Sequence, residues 1–314
     1  MSDQIARALP VYGLPPDTPL TLLNRSENET WRAGDLVLRL HRQGYHTKDE
    51  IASELAWLTA LQDLPGLRTV RPIAGAQDLV TEIDSRYLVA FALIPGLELQ
   101  PGDDLARWFT PLGEITARLH LHAREWVPPK GFTRKCWDVE TILGPQPHWG
   151  HWRQAQGLDR NGDTLLARAT AALAAKLIAY GTGPDTFGLI HADLRLANLM
   201  VDGDQLHAID FDDCGFGWWA YDLASALSFI ETDPRLPDLI ARWCDGYTGI
   251  APLSARDRAM IPSLIFLRRV LLTAWLSTRA DSDTAQALGG KAYTQGTLDL
   301  AERYLANGLS AFRP

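Results

Sequence analysis

Three polar side chains stand at positions that suit phosphoryl transfer. The sequence LIHADLRLANLM (residues 189–200) contains Asp193 and Asn198, and the sequence IDFD places Asp210 17 residues after Asp193. Phosphoryl transfer needs a carboxylate that aims the attacking hydroxyl and oxygen ligands for Mg²⁺. Asp193 suits the first role, and Asn198 and Asp210 suit the second because magnesium prefers hard oxygen donors. The spacing therefore predicts a phosphoryl-transfer site rather than an acidic hairpin with structural aspartate caps.

The elements that must position these residues differ between the two ends of the chain. In the first 95 or so residues, β-rich tracts predict strands at 20–24, 30–33, 36–40 and 87–94. The capping-box pattern Thr47–Glu50 predicts the start of one helix. Pro95-Gly96 is a breaker pair that ends the last of these strands. We therefore place the lobe boundary there, with an N-lobe at 1–94 and a C-lobe at 95–314.

The C-lobe is predicted to be larger and mostly helical. Patterning predicts helices at 111–126 and 163–180, an irregular insertion at 128–150, and strands at 188–191, 199–201 and 206–211. The strands of the N-lobe are expected to be mostly antiparallel. The predicted fold class is thus α+β, with a small β N-lobe that carries one helix and a helical C-lobe.

Glu54 lies on the apolar stripe of the N-lobe helix. Ile51, Leu55 and Leu58 define that stripe, and Glu54 falls on it at the spacing of helical neighbours. A carboxylate that faces a core needs a partner, because an unpaired buried charge is costly. Arg39, on the preceding strand, is the predicted partner.

Composition and charge exclude several classes of protein. The chain has 314 residues, a net charge of −8, three cysteines without a C-x-x-C pair, and no signal-like N-terminus. The longest apolar stretch, 264–276, is interrupted by Arg268 and Arg269, so it is not expected to span a membrane. We expect a cytoplasmic protein that binds neither nucleic acid nor membrane. Its oligomeric state is not predicted.

The loop around Asp193 resembles that of a known kinase superfamily. The tracts VLRLHR (residues 37–42) and IDFDD (residues 209–213) are similar to those of the aminoglycoside phosphotransferase and choline kinase superfamily. The branch that looks most alike contains type II homoserine kinases, hydroxylysine kinases and a stress-response kinase. This resemblance implies a protein-kinase-like fold with ATP and Mg²⁺ as cofactors. It also implies that Asp193 is the catalytic base and that Asn198 and Asp210 are metal ligands.

The same resemblance implies a nucleotide site in the N-lobe. The loop Arg25–Glu29 takes the place of the phosphate-covering loop, and it contains no glycine, so Ser26 and Asn28 are the expected phosphate donors. Arg39 stands where most kinases have lysine; it can still pair with Glu54 and donate to phosphate. Ala92 to Ile94 resembles the hinge whose backbone would bind adenine.

The implied activity is transfer of the γ-phosphate of ATP to a small metabolite with a hydroxyl, such as homoserine, hydroxylysine or an amino alcohol. The alternatives are a protein Ser/Thr kinase of the stress-response type, an aminoglycoside-modifying kinase and a non-catalytic pseudokinase. The stretch from Phe211 to Asp222 contains no serine or threonine, and Ala192 replaces the arginine that would bind an activation-loop phosphate. Both features favour the small-molecule enzyme.

Acidic residues near the motif suggest that the acceptor is cationic. Ten acids and two bases lie between Asp202 and Asp245. Glu231 and Asp233 are candidates to anchor an amine of the acceptor, and Asp212 is both a candidate for the acceptor site and a rival of Asp210 for the metal. The alternative is a solvated acidic surface.

Overall fold

The computed structural model of the protein describes residues 2–25 and 28–312. The chain divides into two compact units. The first, here called the N-terminal unit, consists of Met1–Leu97, Trp126–Arg134 and Met200–Asp212. The second, the C-terminal unit, consists of Glu98–Glu125, Lys135–Leu199 and Asp213–Pro314. The lobe boundary at residues 94 and 95 remains a proposal.

Both units combine helices with strands. The helices are α1 (Ser2–Ala8), α2 (Lys48–Leu61), α3 (Leu105–Glu125), α4 (Val139–Leu143), α5 (Arg160–Tyr180), α6 (Tyr221–Ala226), α7 (Leu236–Ile250), α8 (Ala255–Thr278), α9 (Asp283–Leu288) and α10 (Gly290–Asn307). The strands are β1 (Leu20–Arg25), β2 (Glu29–Ala33), β3 (Leu36–Leu40), β4 (Pro72–Ile73), β5 (Thr81–Ile83), β6 (Arg86–Ala92), β7 (Leu97–Glu98), β8 (Lys135–Trp137), β9 (Phe187–Ile190), β10 (Leu199–Asp202), β11 (Gln205–Ala208) and β12 (Gly215–Trp218).

The N-terminal unit contains a six-stranded sheet. Its strands follow the order β1-β2-β3-β6-β4, and β5 also pairs with β6. Every pair is antiparallel, as predicted. In this register Arg39 of β3 lies opposite Thr30 of β2 and Val89 of β6. Because side chains alternate along a strand, the register fixes the face of the sheet on which Arg39 lies.

The described residues of the N-terminal unit form two α-helices where the sequence predicts one. The capping box that opens α2 is confirmed: Thr47 Oγ1 accepts from the Glu50 N–H at 3.2 Å, and the Thr47 N–H donates to Glu50 at 2.8 Å. The added helix is α1, whose Ile5 and Ala8 are buried against Leu38 and other sheet residues. Seven residues cannot form a stable helix alone, so α1 depends on this packing.

The C-terminal unit is mostly helical and carries one small sheet of its own. In that sheet β12 pairs in parallel with β8 and antiparallel with β9. The helices α3 and α7 cross closely at two glycines. A Cβ atom at Gly113 would lie 2.1 Å from the Trp243 carbonyl oxygen, and one at Gly246 would lie 2.0 Å from that of Thr110. Only glycine permits this helix spacing.

Helix α8 is the one described helix that is long and apolar enough to cross a membrane. However, 94% of its apolar window is buried inside the protein. Length and composition alone do not separate a membrane span from the core helix of a globular unit. Here α8 packs as a core helix of the C-terminal unit.

Several boundaries differ from those predicted. Helix α3 begins at Leu105 rather than Pro111, because its buried stripe starts there and the helix accommodates the proline. The segment 128–150, predicted to be irregular, contains β8 and α4. Strand β11 ends at Ala208 rather than Phe211, since Asp210 takes a left-handed backbone conformation with a φ of 58°.

Candidate active site

Asp193 lies in the loop after β9, in the C-terminal unit. Its side chain is 13% exposed. Carboxylate oxygen Oδ1 accepts a hydrogen bond from Nη2 of Arg268, and Oδ2 accepts one of 2.8 Å from Nδ2 of Asn198. Burial acts to raise the pKa of Asp193, but the positive charges of Arg268 and Arg195 outweigh burial and hold the pKa below its usual value. The carboxylate is therefore ionised at neutral pH, as a general base must be.

Asp222 of α6 fixes the backbone of this loop. Its carboxylate accepts hydrogen bonds from the N–H groups of His191 at 3.0 Å and Ala192 at 2.7 Å. His120 Nε2 lies 3.1 Å from the same carboxylate. Ala192 has a φ of 67°, which is costly for a residue with a Cβ atom. The hydrogen bonds to Asp222 hold the loop in this conformation.

Asn198 ends a short 3₁₀ turn five residues after Asp193. Its Nδ2 donates to the backbone oxygen and to Oδ2 of Asp193, at 2.8 Å each. Because the nitrogen makes these bonds, Oδ1 is the atom of Asn198 that could ligate a metal. A neutral amide oxygen is a hard donor, so this residue fits a magnesium site.

The predicted ion pair between Arg39 and Glu54 is confirmed in the N-terminal unit. Nη2 of Arg39 donates to Oε1 and Oε2 of Glu54 at 2.7 and 2.6 Å. Nη1 donates to Oδ1 of Asp210 at 3.2 Å. Burial acts to lower the pKa of Arg39, but Glu54, Asp212 and Asp210 outweigh it and raise the pKa. The guanidinium thus stays charged although it is buried.

Asp210, the second predicted metal ligand, lies in the N-terminal unit and remains a proposed ligand. Its side chain is 39% exposed, far more than that of Asp212. Its left-handed backbone turns the chain away from strand β11 at this residue. The carboxylate is partly exposed and accepts from Arg39, and its oxygens are hard donors of the kind that a divalent cation prefers.

Asp212 has a different environment from Asp210. Its side chain is 7% exposed, and His46 Nε2 and His41 Nδ1 lie 3.4 and 3.6 Å from its carboxylate oxygens. Arg134 Nη2 donates to its backbone oxygen. Burial acts to raise the pKa of Asp212, but Arg39 and the histidines outweigh it and hold the pKa well below its usual range. Since protein groups surround this carboxylate, we do not retain Asp212 as an acceptor-site candidate.

Asn28 of the phosphate-loop segment is also engaged by protein groups. Its Nδ2 donates to Asp212 at 2.8 Å, and its Oδ1 accepts from the Arg42 N–H at 3.0 Å. Both ends of the amide are therefore engaged by protein groups, and the phosphate contact of Asn28 stays a proposal. Ser26, the other predicted phosphate donor, lies outside the described residues.

The hinge segment follows β6. The Ala92 N–H donates to the Arg71 carbonyl at 2.9 Å, and the Leu93 N–H donates to the Asp35 carbonyl at 2.9 Å. These two donors are occupied within the unit. Of the two predicted hinge residues, Ile94 therefore remains the proposed donor to adenine.

The two predicted amine anchors in the C-terminal unit are both paired. Glu231 is fully buried, and its oxygens accept from Arg269 at 2.8 Å and from the Tyr293 hydroxyl at 3.1 Å. Asp233 binds Arg235 at 2.8 Å. For Glu231 the solvated-surface alternative is wrong, because the residue is in the core. Since both of its oxygens are used internally, we do not retain Glu231 as an acceptor anchor, and Asp233 is left without support.

Several side chains contact the predicted site residues without such contacts having been predicted. Four of them are His41, His46, Arg134 and Arg268. His41 follows Arg39 by two residues, and the alternation of a strand places such pairs on one face. Arg268 interrupts an apolar stretch, and a charge there requires a buried partner. The positions of His41 and Arg268 could therefore have been noticed in the sequence. His46 and Arg134 lie in irregular segments, where no periodic pattern indicates a contact.

Comparison with known proteins agrees with this arrangement. Residues 21–258 match the model of the APH phosphotransferase enzyme family. The chain belongs to this family. The phosphotransferase is 42% identical to a microcompartment-associated aminopropanol kinase of known structure, with a TM-score of 0.88 and coverage of 98% of each chain.

The chain is also similar to two other small-molecule kinases. It is 27% identical to a homoserine kinase of Gluconobacter oxydans over 79% of this chain and 78% of the relative. It shares 21% identity and a TM-score of 0.72 with an amicoumacin kinase in complex with AMP-PNP and Ca²⁺, over 89% and 88% of the two chains. The last similarity concerns the fold alone. The protein is thus a small-molecule kinase of α+β, kinase-like fold that phosphorylates hydroxyl groups.

Proposed function

We propose that this kinase transfers the γ-phosphate of ATP to the hydroxyl of a small amino alcohol. Similarity over nearly the whole chain to an aminopropanol kinase supports this acceptor class. A hydroxy amino acid such as homoserine is the second candidate, supported by the homoserine kinase relative at lower identity. A cytoplasmic location remains part of the proposal.

The observation that carries the proposal is the state of Asp193. Its carboxylate is only 13% exposed, yet it is held ionised and oriented by Arg268 and Asn198. Such a group can accept the proton of an acceptor hydroxyl while the hydroxyl oxygen bonds to the γ-phosphorus. The bond between that phosphorus and the β–γ bridging oxygen breaks, and ADP leaves with the electron pair.

The residues present fit a divalent cation and ATP. Asn198 in the C-terminal unit and Asp210 in the N-terminal unit each offer a hard oxygen of the kind that Mg²⁺ prefers, and both remain proposed metal ligands. When bound, Mg²⁺ neutralises charge on the phosphates. In the N-terminal unit Arg39 is kept charged and immobile by Glu54, and it is the proposed phosphate partner. The backbone of Ile94 is the proposed contact to adenine.

The test is an ADP-release screen with purified enzyme. The panel contains 1-amino-2-propanol, ethanolamine, choline, homoserine, hydroxylysine and one aminoglycoside, each with Mg²⁺ and with excess EDTA. We expect magnesium-dependent ADP release that is fastest with an amino alcohol. Preference for homoserine or hydroxylysine would support the second candidate, and preference for the aminoglycoside would contradict both.

A further inference from the structure

Arg268 is a buried cation on the core helix α8. Its residue is 1% exposed, and it lies in the apolar run Leu264–Leu276. Burying a guanidinium is costly unless its donors are paired. The positions of those donors therefore indicate what the side chain does.

The donors of Arg268 converge on the catalytic loop. Nη2 donates to Oδ1 of Asp193, and Nη1 donates to the Ala192 carbonyl at 3.3 Å. Nε donates to the Ser228 hydroxyl at 2.9 Å, and the Tyr221 hydroxyl lies 3.4 Å from Nη1. One rigid guanidinium thus contacts the side chain of Asp193 and the backbone of the preceding residue. The loop is thereby attached to a helix of 24 residues.

The Asp193 carboxylate is consequently held at both oxygens. Arg268 binds Oδ1, whereas Asn198 binds Oδ2 at 2.8 Å. Arg195 also approaches Oδ2, at 3.4 Å, but it belongs to the loop itself and is more exposed. Arg268 is therefore the contact that ties Asp193 to the core of the unit.

We propose that Arg268 is a positioning residue for phosphoryl transfer, which holds the Asp193 carboxylate in the orientation that receives the hydroxyl proton. This inference rests on the proposed function. Positioning matters because a misplacement of about 1 Å can cost about 100-fold in rate. A lysine could not replace the arginine, since one ammonium cannot bind the carboxylate, the carbonyl and the serine with the same planar geometry.

The neighbouring arginine provides a matched control. Arg269 is on the same helix and is 5% exposed. Its guanidinium binds Glu231 at 2.8 Å, the Tyr293 carbonyl at 2.8 Å and the Thr297 hydroxyl at 2.8 Å. It thus makes an equally buried ion pair away from Asp193. Replacing Arg269 measures how far the loss of a buried, paired arginine lowers stability and activity when Asp193 is not its partner.

The experiment compares Arg268→Lys with Arg269→Lys. The acceptor is the one with the highest wild-type kcat/KM in the screen above, and kcat, both KM values and the melting temperature are measured. We expect Arg268→Lys to lower kcat about 100-fold and to leave the KM for ATP within about twofold. Arg269→Lys should keep kcat within about threefold, whatever its melting temperature.

A second variant, Arg268→Ala, tests whether the lost guanidinium group itself is needed for activity. Arg268→Ala is assayed with and without added guanidinium ion at a concentration that does not unfold the enzyme. Guanidinium should raise its kcat at least about tenfold and should not raise that of Arg269→Ala. No rescue together with folded protein would contradict positioning.

Two results of the lysine comparison would also overturn the inference. One is an Arg268→Lys enzyme with kcat within about threefold of wild type. The other is an equal loss of kcat in Arg268→Lys and Arg269→Lys. If the wild-type enzyme uses no acceptor in the panel, the proposed function fails instead. The same comparison is then made on the slow transfer of the γ-phosphate to water.

Discussion

Arg39 and Glu54 form a two-pronged ion pair in which one nitrogen of the guanidinium serves both carboxylate oxygens. The two distances are 2.7 and 2.6 Å, and the side chains are 5% and 0% exposed. The second terminal nitrogen of Arg39 binds Asp210 at 3.2 Å. The pair therefore holds a charged guanidinium next to the proposed metal ligand.

Replacing Arg39 by alanine should raise the KM for ATP and destabilise the protein. Removal of one partner of a buried pair costs about 3–5 kcal/mol, because the other charge is left without compensation. In a double-mutant cycle with Glu54→Ala, urea unfolding should show coupling of about 0.5–3 kcal/mol between the two residues. Coupling below about 0.3 kcal/mol would mean that the pair contributes nothing specific.

The exposed pair of Arg7 and Asp84 is the control for this cycle. Its side chains are 62% and 46% exposed. Solvent screens exposed pairs, so Arg7→Ala should have a small effect on stability and none on the KM for ATP. An effect of Arg7→Ala on ATP as large as that of Arg39→Ala would show that the assay reports general destabilisation.

Replacement of Asp210 should affect magnesium-dependent nucleotide binding, whereas replacement of Asp212 should affect stability. Asp210→Asn is expected to weaken magnesium-dependent nucleotide binding at least tenfold, since it replaces a charged oxygen ligand. Asp212→Asn is expected to lower the free energy of unfolding instead, because this carboxylate is buried among Asn28, His41 and His46. Nucleotide titration at several magnesium concentrations, with urea unfolding of each variant, separates the two effects. A larger loss of magnesium dependence in Asp212→Asn would reverse the assignment.

His41 should make the fold sensitive to acid. Burial, followed by the charge of Arg39, lowers the pKa of His41 well below its usual value. The other groups that face it are Asp212, which acts in the opposite direction, and His46 and Arg134, which act in the same direction. Below about pH 6.5 the unfolded chain binds a proton that the folded chain does not. Stability is thus complete above this pH and falls by up to about 1.4 kcal/mol for each pH unit below it.

Urea unfolding between pH 7.5 and 5.5 measures this effect. His41→Asn should flatten the pH dependence, whereas His207→Asn should leave most of it, because His207 is only half-buried. An unchanged slope in His41→Asn would show that other groups cause the acid sensitivity.

The local parts of the site could be predicted from the sequence. The stripe position of Glu54 and the strand position of Arg39 are periodic features, and the pair they predict is confirmed. The capping box of α2 likewise depends on four consecutive residues. Such features follow from short-range geometry, which a single sequence contains.

Contacts between distant segments could not be predicted in the same way. Glu231 and Asp233 were judged by charge and position alone, and the structure pairs Glu231 with Arg269, 38 residues later. Arg268 reaches Asp193 across 75 residues. Residue spacing does not indicate which helix packs against a given loop. These partners could therefore be identified only from the three-dimensional structure.

The most direct test of the central account is phosphate transfer by Asp193→Asn. The variant and the wild-type enzyme are incubated with ATP, Mg²⁺ and 1-amino-2-propanol, and the phosphorylated amino alcohol is quantified by ³¹P NMR. Nucleotide affinity of both enzymes is measured separately by calorimetry. The account predicts product with the wild-type enzyme, a rate lower by about 100-fold to 10,000-fold with Asp193→Asn, and unchanged nucleotide affinity. A variant that retains about a third or more of wild-type turnover would contradict the account, because the expected loss of a catalytic base is far larger.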